Sequence, residues 1–133
     1  MNEILSEIDD FLVLRITLSN CVALFNLGHV YHLNKLRTVS LGMVCTMFDT
    51  VAEEDDITAL PVSAMEEILT SSMLVVRSED VILAACLKWM NAHREGRRNQ
   101  WKKLKRLICF DDCTESVKLI FVDNDYCRYI CET

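Results

Sequence analysis

The 133-residue chain is of single-domain size, and with 51% apolar residues it can bury an ordinary core. A formal charge of -6 gives no overall attraction to nucleic acid or to an acidic membrane surface. One proline, Pro61, and three glycines, Gly28, Gly42 and Gly96, are too little punctuation for a many-stranded β fold, so composition points to helices.

In chain order, Ile4, Leu5, Ile8, Phe11 and Leu12 recur at the spacing of one helical face, with Glu3, Glu7 and Asp10 on the other side. Ser19 and Asn20 are good N-caps for a second helix carrying Leu24, Leu27, Gly28 and Tyr31 at i, i+3, i+4, i+7. Gly28 costs that helix about 1 kcal/mol against alanine, so its use there is to let another helix come close. A third apolar face runs through Leu36, Val39, Met43, Val44, Met47, Phe48 and Val51 and ends in the acidic run 53–56.

Leu60-Pro61 opens a short helix with Met65, Ile68 and Leu69, and Leu74, Val75 and Val76 form a locally extended link. Ser78-Glu79 caps a well-defined helix through Val81, Ile82, Ala85, Cys86 and Trp89. Gly96 breaks the pattern before a basic helix holding Trp101, Leu104, Leu107 and Ile108. The tail, with Val117, Leu119, Ile120 and Phe121 and then Tyr126, Tyr129 and Ile130, reads as helix or short strand followed by a last helical turn. The fold class expected is all-α, with about seven or eight helices in stacked antiparallel pairs.

No apolar stretch approaches the roughly 20 residues that cross a bilayer. Met1 to Leu14 carries Glu3, Glu7, Asp9 and Asp10 where a secretory leader carries positive charge. Seven cysteines, an odd and irregular set partly within apolar stripes, read as buried free thiols of a cytoplasmic or nuclear protein. Cys109, Cys113, Cys127 and Cys131 form two C-x-x-x-C pairs that could hold zinc, but the same spacing arises from packing, which is preferred. His29 and His32 lack a nearby acid to complete a hydrolytic metal motif. With no phosphate cradle, oxyanion loop or strand-turn-helix context, neither enzymatic activity nor a cofactor is expected. Met43, Met47, Met65, Met73 and Met90 read mainly as core filling.

The main charge feature is Arg94, Arg97, Arg98, Lys102, Lys103, Lys105 and Arg106, seven of the 14 Lys and Arg residues. With Trp101 among them it could serve an anionic partner such as nucleic acid through phosphate contacts and base stacking. A solvated helix face with Trp101 and Leu104 turned inward is the preferred reading.

Asn20-Cys21, Gly28, Phe48-x-x-Val51, Leu60-Pro61, Ser78-Glu79 and Trp89, in that order, resemble the BACK module of BTB-kelch proteins. The likeness continues through Arg97, Leu104, Leu107 and the segment 121–124; Ser72 and Cys109 depart from it, where aspartate and arginine are common. The resemblance implies a helix pair over residues 1–34 like the 3-box beside a BTB domain, and a BACK-like domain over residues 20–133. It further implies a non-enzymatic scaffold in a substrate receptor of a cullin-RING ubiquitin ligase, setting the angle between a BTB domain with its cullin and the kelch repeats. Neither flanking domain is in this sequence, so it stands for a fragment or a shortened protein. Ile4, Leu5, Ile8, Phe11 and Leu12 would then line a cullin-facing groove. A helical adaptor of cytoskeletal or viral-host complexes, without a ligase, is the alternative.

Overall fold

The computed structural model describes residues 3–108. They form eight α-helices, namely α1 (Glu3–Val13), α2 (Cys21–Tyr31), α3 (Asn34–Thr46), α4 (Phe48–Val51), α5 (Val62–Thr70), α6 (Glu79–Ala92), α7 (Arg94–Arg97) and α8 (Trp101–Lys105). Two 3₁₀ turns, Asp55–Ala59 and Arg98–Gln100, complete the all-α architecture, and there is no strand among the described residues. None of these helices is long and apolar enough to cross a membrane. The tail from Val117 to Ile130, the 121–124 landmark and the cysteines Cys109, Cys113, Cys127 and Cys131 lie outside the described residues.

Helices α2 and α3 form the closest pair, joined by His32 and Leu33. His32 takes the left-handed conformation at φ 59°, ψ 37°, and its N–H, like that of Leu33, returns to the Gly28 carbonyl, which closes α2. Gly28 does what its position in the stripe predicts. A Cβ there would lie 2.8 Å from the Arg37 backbone nitrogen, so only glycine admits the first turns of α3 at this distance.

Asn20 occupies the N-cap position of α2 but does not cap it. Its Oδ1 accepts the Thr17 N–H (2.7 Å) and its Nδ2 donates to the Arg15 carbonyl (2.9 Å), tying the turn between α1 and α2. The third apolar stripe is split in two. Helix α3 ends at Thr46, and the chain restarts as α4 after Met47, whose φ of -112° and ψ of 28° leave the helical region. That break turns Phe48 and Val51 into the core and leaves Met47 exposed; Val39 is exposed as well. Among the methionines, Met65 and Met90 fill the core whereas Met47 and Met73 do not.

Helix α6 is apolar nearly all round, with Val81, Ile82, Leu83, Cys86, Trp89 and Met90 buried, and it forms the centre of the core. It stops at His93 rather than at Gly96, which stands inside α7 with nothing within 4 Å of where a Cβ would be. The backbone of residues 74–76 is irregular, and the Val75 N–H donates to the Cys45 carbonyl (2.9 Å). Cys21, Cys45 and Cys86 are free and buried.

Candidate partner-binding face

Helix α1 packs on α3, and the polarity of the contact is inverted relative to an ordinary amphipathic helix. Its one buried residue is Asp9, 5% exposed, while Ile4, Leu5, Ile8 and Phe11 are exposed, Ile8 at 41% and Phe11 at 52%. Leu12 and Val13 are half-buried. Ile4, Ile8 and Phe11 follow one another at i, i+4, i+7 and form a continuous apolar stripe on the outer side. The Arg15 guanidinium lies 3.8 Å over the Phe11 ring at the end of that stripe.

Asp9 reaches across to the start of α3. Its Oδ1 accepts the Leu36 N–H (2.7 Å) and its Oδ2 the Lys35 N–H (3.1 Å), two of the donors that a helix leaves without partners in its first turn. The residue at the N-cap of α3 is Leu33, which has no side-chain acceptor. Beside this contact the exposed Lys35 and Asp10 pair at 2.7 Å, and the carboxylate holds the Lys35 ammonium above its ordinary value. The end of α1 and the first turns of α3 enclose an open groove of about 390 Å³ lined by Val13, Asn34, Lys35, Thr38 and Val39.

Sequence reasoning missed Asp9, although two signals were present. It shares a stripe with Leu5, Leu12 and Ile16, and the missing cap at Leu33 leaves α3 in need of an acceptor from elsewhere. It also missed a polar cluster that ties α2, α3 and α5 together. His29 Nε2 lies 2.8 Å from Ser63 Oγ, His29 Nδ1 lies 3.6 Å from Glu67, and Glu67 accepts Arg37 Nε at 3.0 Å. Ser, His and Glu here do not amount to a nucleophile relay. The Nδ1 separation exceeds a hydrogen bond, and the Glu67 carboxylate is engaged by Arg37. His32, the second histidine of the pair noted in the sequence, caps α2 instead of joining His29.

The basic segment does not act as one patch. Arg97 turns inward. Its Nη1 donates to the Trp89 carbonyl and its Nη2 to the Thr58 carbonyl, both at 2.5 Å, and the guanidinium lies 4.0 Å over the Trp89 ring. Burial pulls its pKa below the ordinary arginine value. Trp89 Nε1 donates to the Leu60 carbonyl at 2.6 Å. Trp101 and Leu104 are fully buried, so no indole is available to stack on a base. Arg98, Lys102, Lys103 and Arg106 are exposed and Lys105 is half-buried, while the Arg94 side chain is outside what the structure describes.

Leu60, Trp89 and Arg97, separated in sequence, thus meet with Thr58 at one hydrogen-bonded corner of the core. The family model described as BACK, BTB And C-terminal Kelch, matches residues 21–119, a stretch that contains this corner. The chain belongs to the BACK family. Kelch-like protein 11 of Homo sapiens is 30% identical over 99 residues, which cover 74% of this chain and 14% of the relative. Kelch-like protein 40b of Danio rerio is 27% identical over 116 residues, 87% of the chain and 17% of the relative. Kelch-like protein 40 of Homo sapiens is 32% identical over 79 residues, 59% of the chain and 13% of the relative. The chain therefore spans only a small part of the length of the relatives it matches. Helix α1 precedes the matched stretch, so its apolar stripe is a feature of this chain beside the BACK core.

Proposed function

We propose that this BACK chain is a non-enzymatic scaffold of a BTB-kelch-type substrate receptor of a cullin-RING ubiquitin ligase. In this reading α1, together with a BTB domain, faces the cullin, and the body of the domain sets the distance and angle to kelch repeats of the parent protein. The observation that carries it is the outward apolar stripe of Ile4, Ile8 and Phe11, with Leu5 exposed beside it, on a helix whose inner contact is polar. A stripe of this kind raises the free energy of an isolated domain in water and is lowered by a partner that covers it. The half-buried Leu12 belongs to the same helix and would border the covered area.

The test is a titration of cullin against the chain fused to a dimeric BTB domain. Covering Ile8 and Phe11 fully is worth roughly 1 to 2 kcal/mol each. Ile8→Ala with Phe11→Ala is therefore expected to weaken cullin binding at least tenfold, with unchanged circular dichroism and unfolding midpoint. Unaltered affinity in a folded double variant sinks the ligase reading and moves the assignment to a helical adaptor without a ligase role. Exposed cations on and beside α8 carry no comparable argument for nucleic acid, because Trp101 and Arg97 are engaged inside the fold.

A further inference from the structure

We propose that Asp9 is the pin that fixes the angle of α1 against the body of the domain, and so a positioning residue for the partner-binding stripe. Its consequence for partner binding rests on the reading of the stripe given above; its consequence for α1 and α3 does not.

A helix normally takes its orientation from apolar side chains interlocked with those of its neighbour. Helix α1 has only half-buried Leu12 and Val13, with Ile16 just beyond it, to offer in that way. Its single buried residue is the Asp9 carboxylate, and both oxygens of that group are used, on two consecutive N–H groups of α3. Two short charge-assisted bonds from one planar group constrain direction as well as distance, and the positive end of the α3 dipole strengthens both. The neighbouring Lys35–Asp10 pair is solvent-exposed and adds little.

Dependence runs in both directions. With Leu33 at its N-cap, α3 has no side-chain cap of its own, and α1 supplies the acceptor from 26 and 27 residues upstream. The same first turns of α3 carry Arg37, whose backbone abuts Gly28, and the helix continues to Val44 and Cys45 in the core. One carboxylate therefore links the stripe on α1 to the rigid part of the fold. Loosening it leaves every residue of the stripe in place and changes only the direction in which the stripe is presented.

Hydrogen–deuterium exchange on the full 133-residue chain tests this in wild type, Asp9→Asn and Asp9→Ala. Loss of a cap of this kind corresponds to roughly tenfold faster opening. Amides of α1 and of the first turn of α3 are expected to exchange about tenfold faster in Asp9→Ala, and by less in Asp9→Asn, which keeps one acceptor oxygen. Amides of α5 and α6 are expected to stay within about twofold of wild type. Unchanged exchange in α1 and α3 overturns the proposal, and so does an equal rise through α5 and α6. Should Asp9→Ala fail to fold, the graded local effect in Asp9→Asn decides. In the BTB fusion, Asp9→Asn is expected to lower cullin affinity although the stripe is intact. If Ile8→Ala with Phe11→Ala leaves cullin affinity unaltered, the ligase reading fails, and the exchange pattern still decides the pin.

Discussion

Replacing Arg97 by alanine separates its internal role from membership of a basic surface. The guanidinium covers the carbonyls of Trp89 and Thr58 with bonds of 2.5 Å and lies 4.0 Å over the Trp89 indole. Trp89 is in the last turn of α6, so its carbonyl is one of those a helix end leaves without an intrahelical donor. A hydrogen bond to a charged donor contributes about 1.5 to 3 kcal/mol, and a cation over an indole about 0.5 to 1 kcal/mol at a partly exposed site. Arg97 is half-buried, so water reaches part of the vacated space and the sum is discounted to about 2 to 4 kcal/mol. The Leu60 carbonyl keeps its bond from Trp89 Nε1 and adds nothing to the loss. In urea, with a slope of about 2 kcal/mol per molar, Arg97→Ala is expected to lower the unfolding midpoint by about 1 to 2 M. Arg97→Lys is expected to recover less than half, since an ammonium cannot span two carbonyls and stack on a ring at once. Lys103→Ala on the exposed side is expected to stay within about 0.5 kcal/mol of wild type. Equal midpoints for Arg97→Ala and Lys103→Ala would refute the assignment of Arg97 to the core corner.

Gly28→Ala gains about 1 kcal/mol of helix propensity but drives a methyl to 2.8 Å from the Arg37 backbone nitrogen and 3.1 Å from its Cα. Overpacking against backbone outweighs the gain, and a net loss of about 1 to 2 kcal/mol is expected in the same urea assay; a stabilised variant would show that α2 and α3 can part at no cost. Burial pushes the Cys86 thiol from 9.0 up to about 12, so the folded chain holds a proton that the unfolded chain releases above about pH 9. Its contribution to stability is full below pH 9 and is lost as pH rises toward 12, at about 1.4 kcal/mol per pH unit. Cys86→Ala is expected to remove that part of the alkaline slope, and an unchanged slope would place the titration in other groups.

What the sequence made legible is what depends on short spacings. Helix existence followed from apolar recurrence at three and four residues, and the inward turn of Trp101 and Leu104 from the same periodicity. Gly28 was readable because a glycine within a helical stripe has few other uses. Boundaries were less secure. Nothing in the run from Leu36 to Val51 marks the break at Met47, since no glycine or proline stands there, and the break serves tertiary packing of Phe48 and Val51. Likewise Asn20 and Ser78 are good caps by type, yet neither side chain makes a capping bond, Asn20 because the preceding turn uses it first.

The inward roles of the two most informative polar residues were missed for a common reason. Charge in a sequence is assigned by default to the solvent side, because an unpaired buried charge is costly and most charged residues are exposed. Arg97 was grouped with its basic neighbours and Asp9 was given no place on either face of the first helix, whereas both reach inward and both satisfy backbone groups at helix ends. Periodicity speaks of which face of a helix is apolar, but not of which helix end elsewhere lacks a partner. For Asp9 that partner lies 26 to 27 residues downstream, at a helix start whose own N-cap position holds a leucine. An apolar residue at an N-cap is thus a usable signal in its own right. The first turn behind it still needs acceptors. In this chain the search for them leads to the one buried charge of α1, and from there to the reason its apolar stripe can face outward while the helix stays docked.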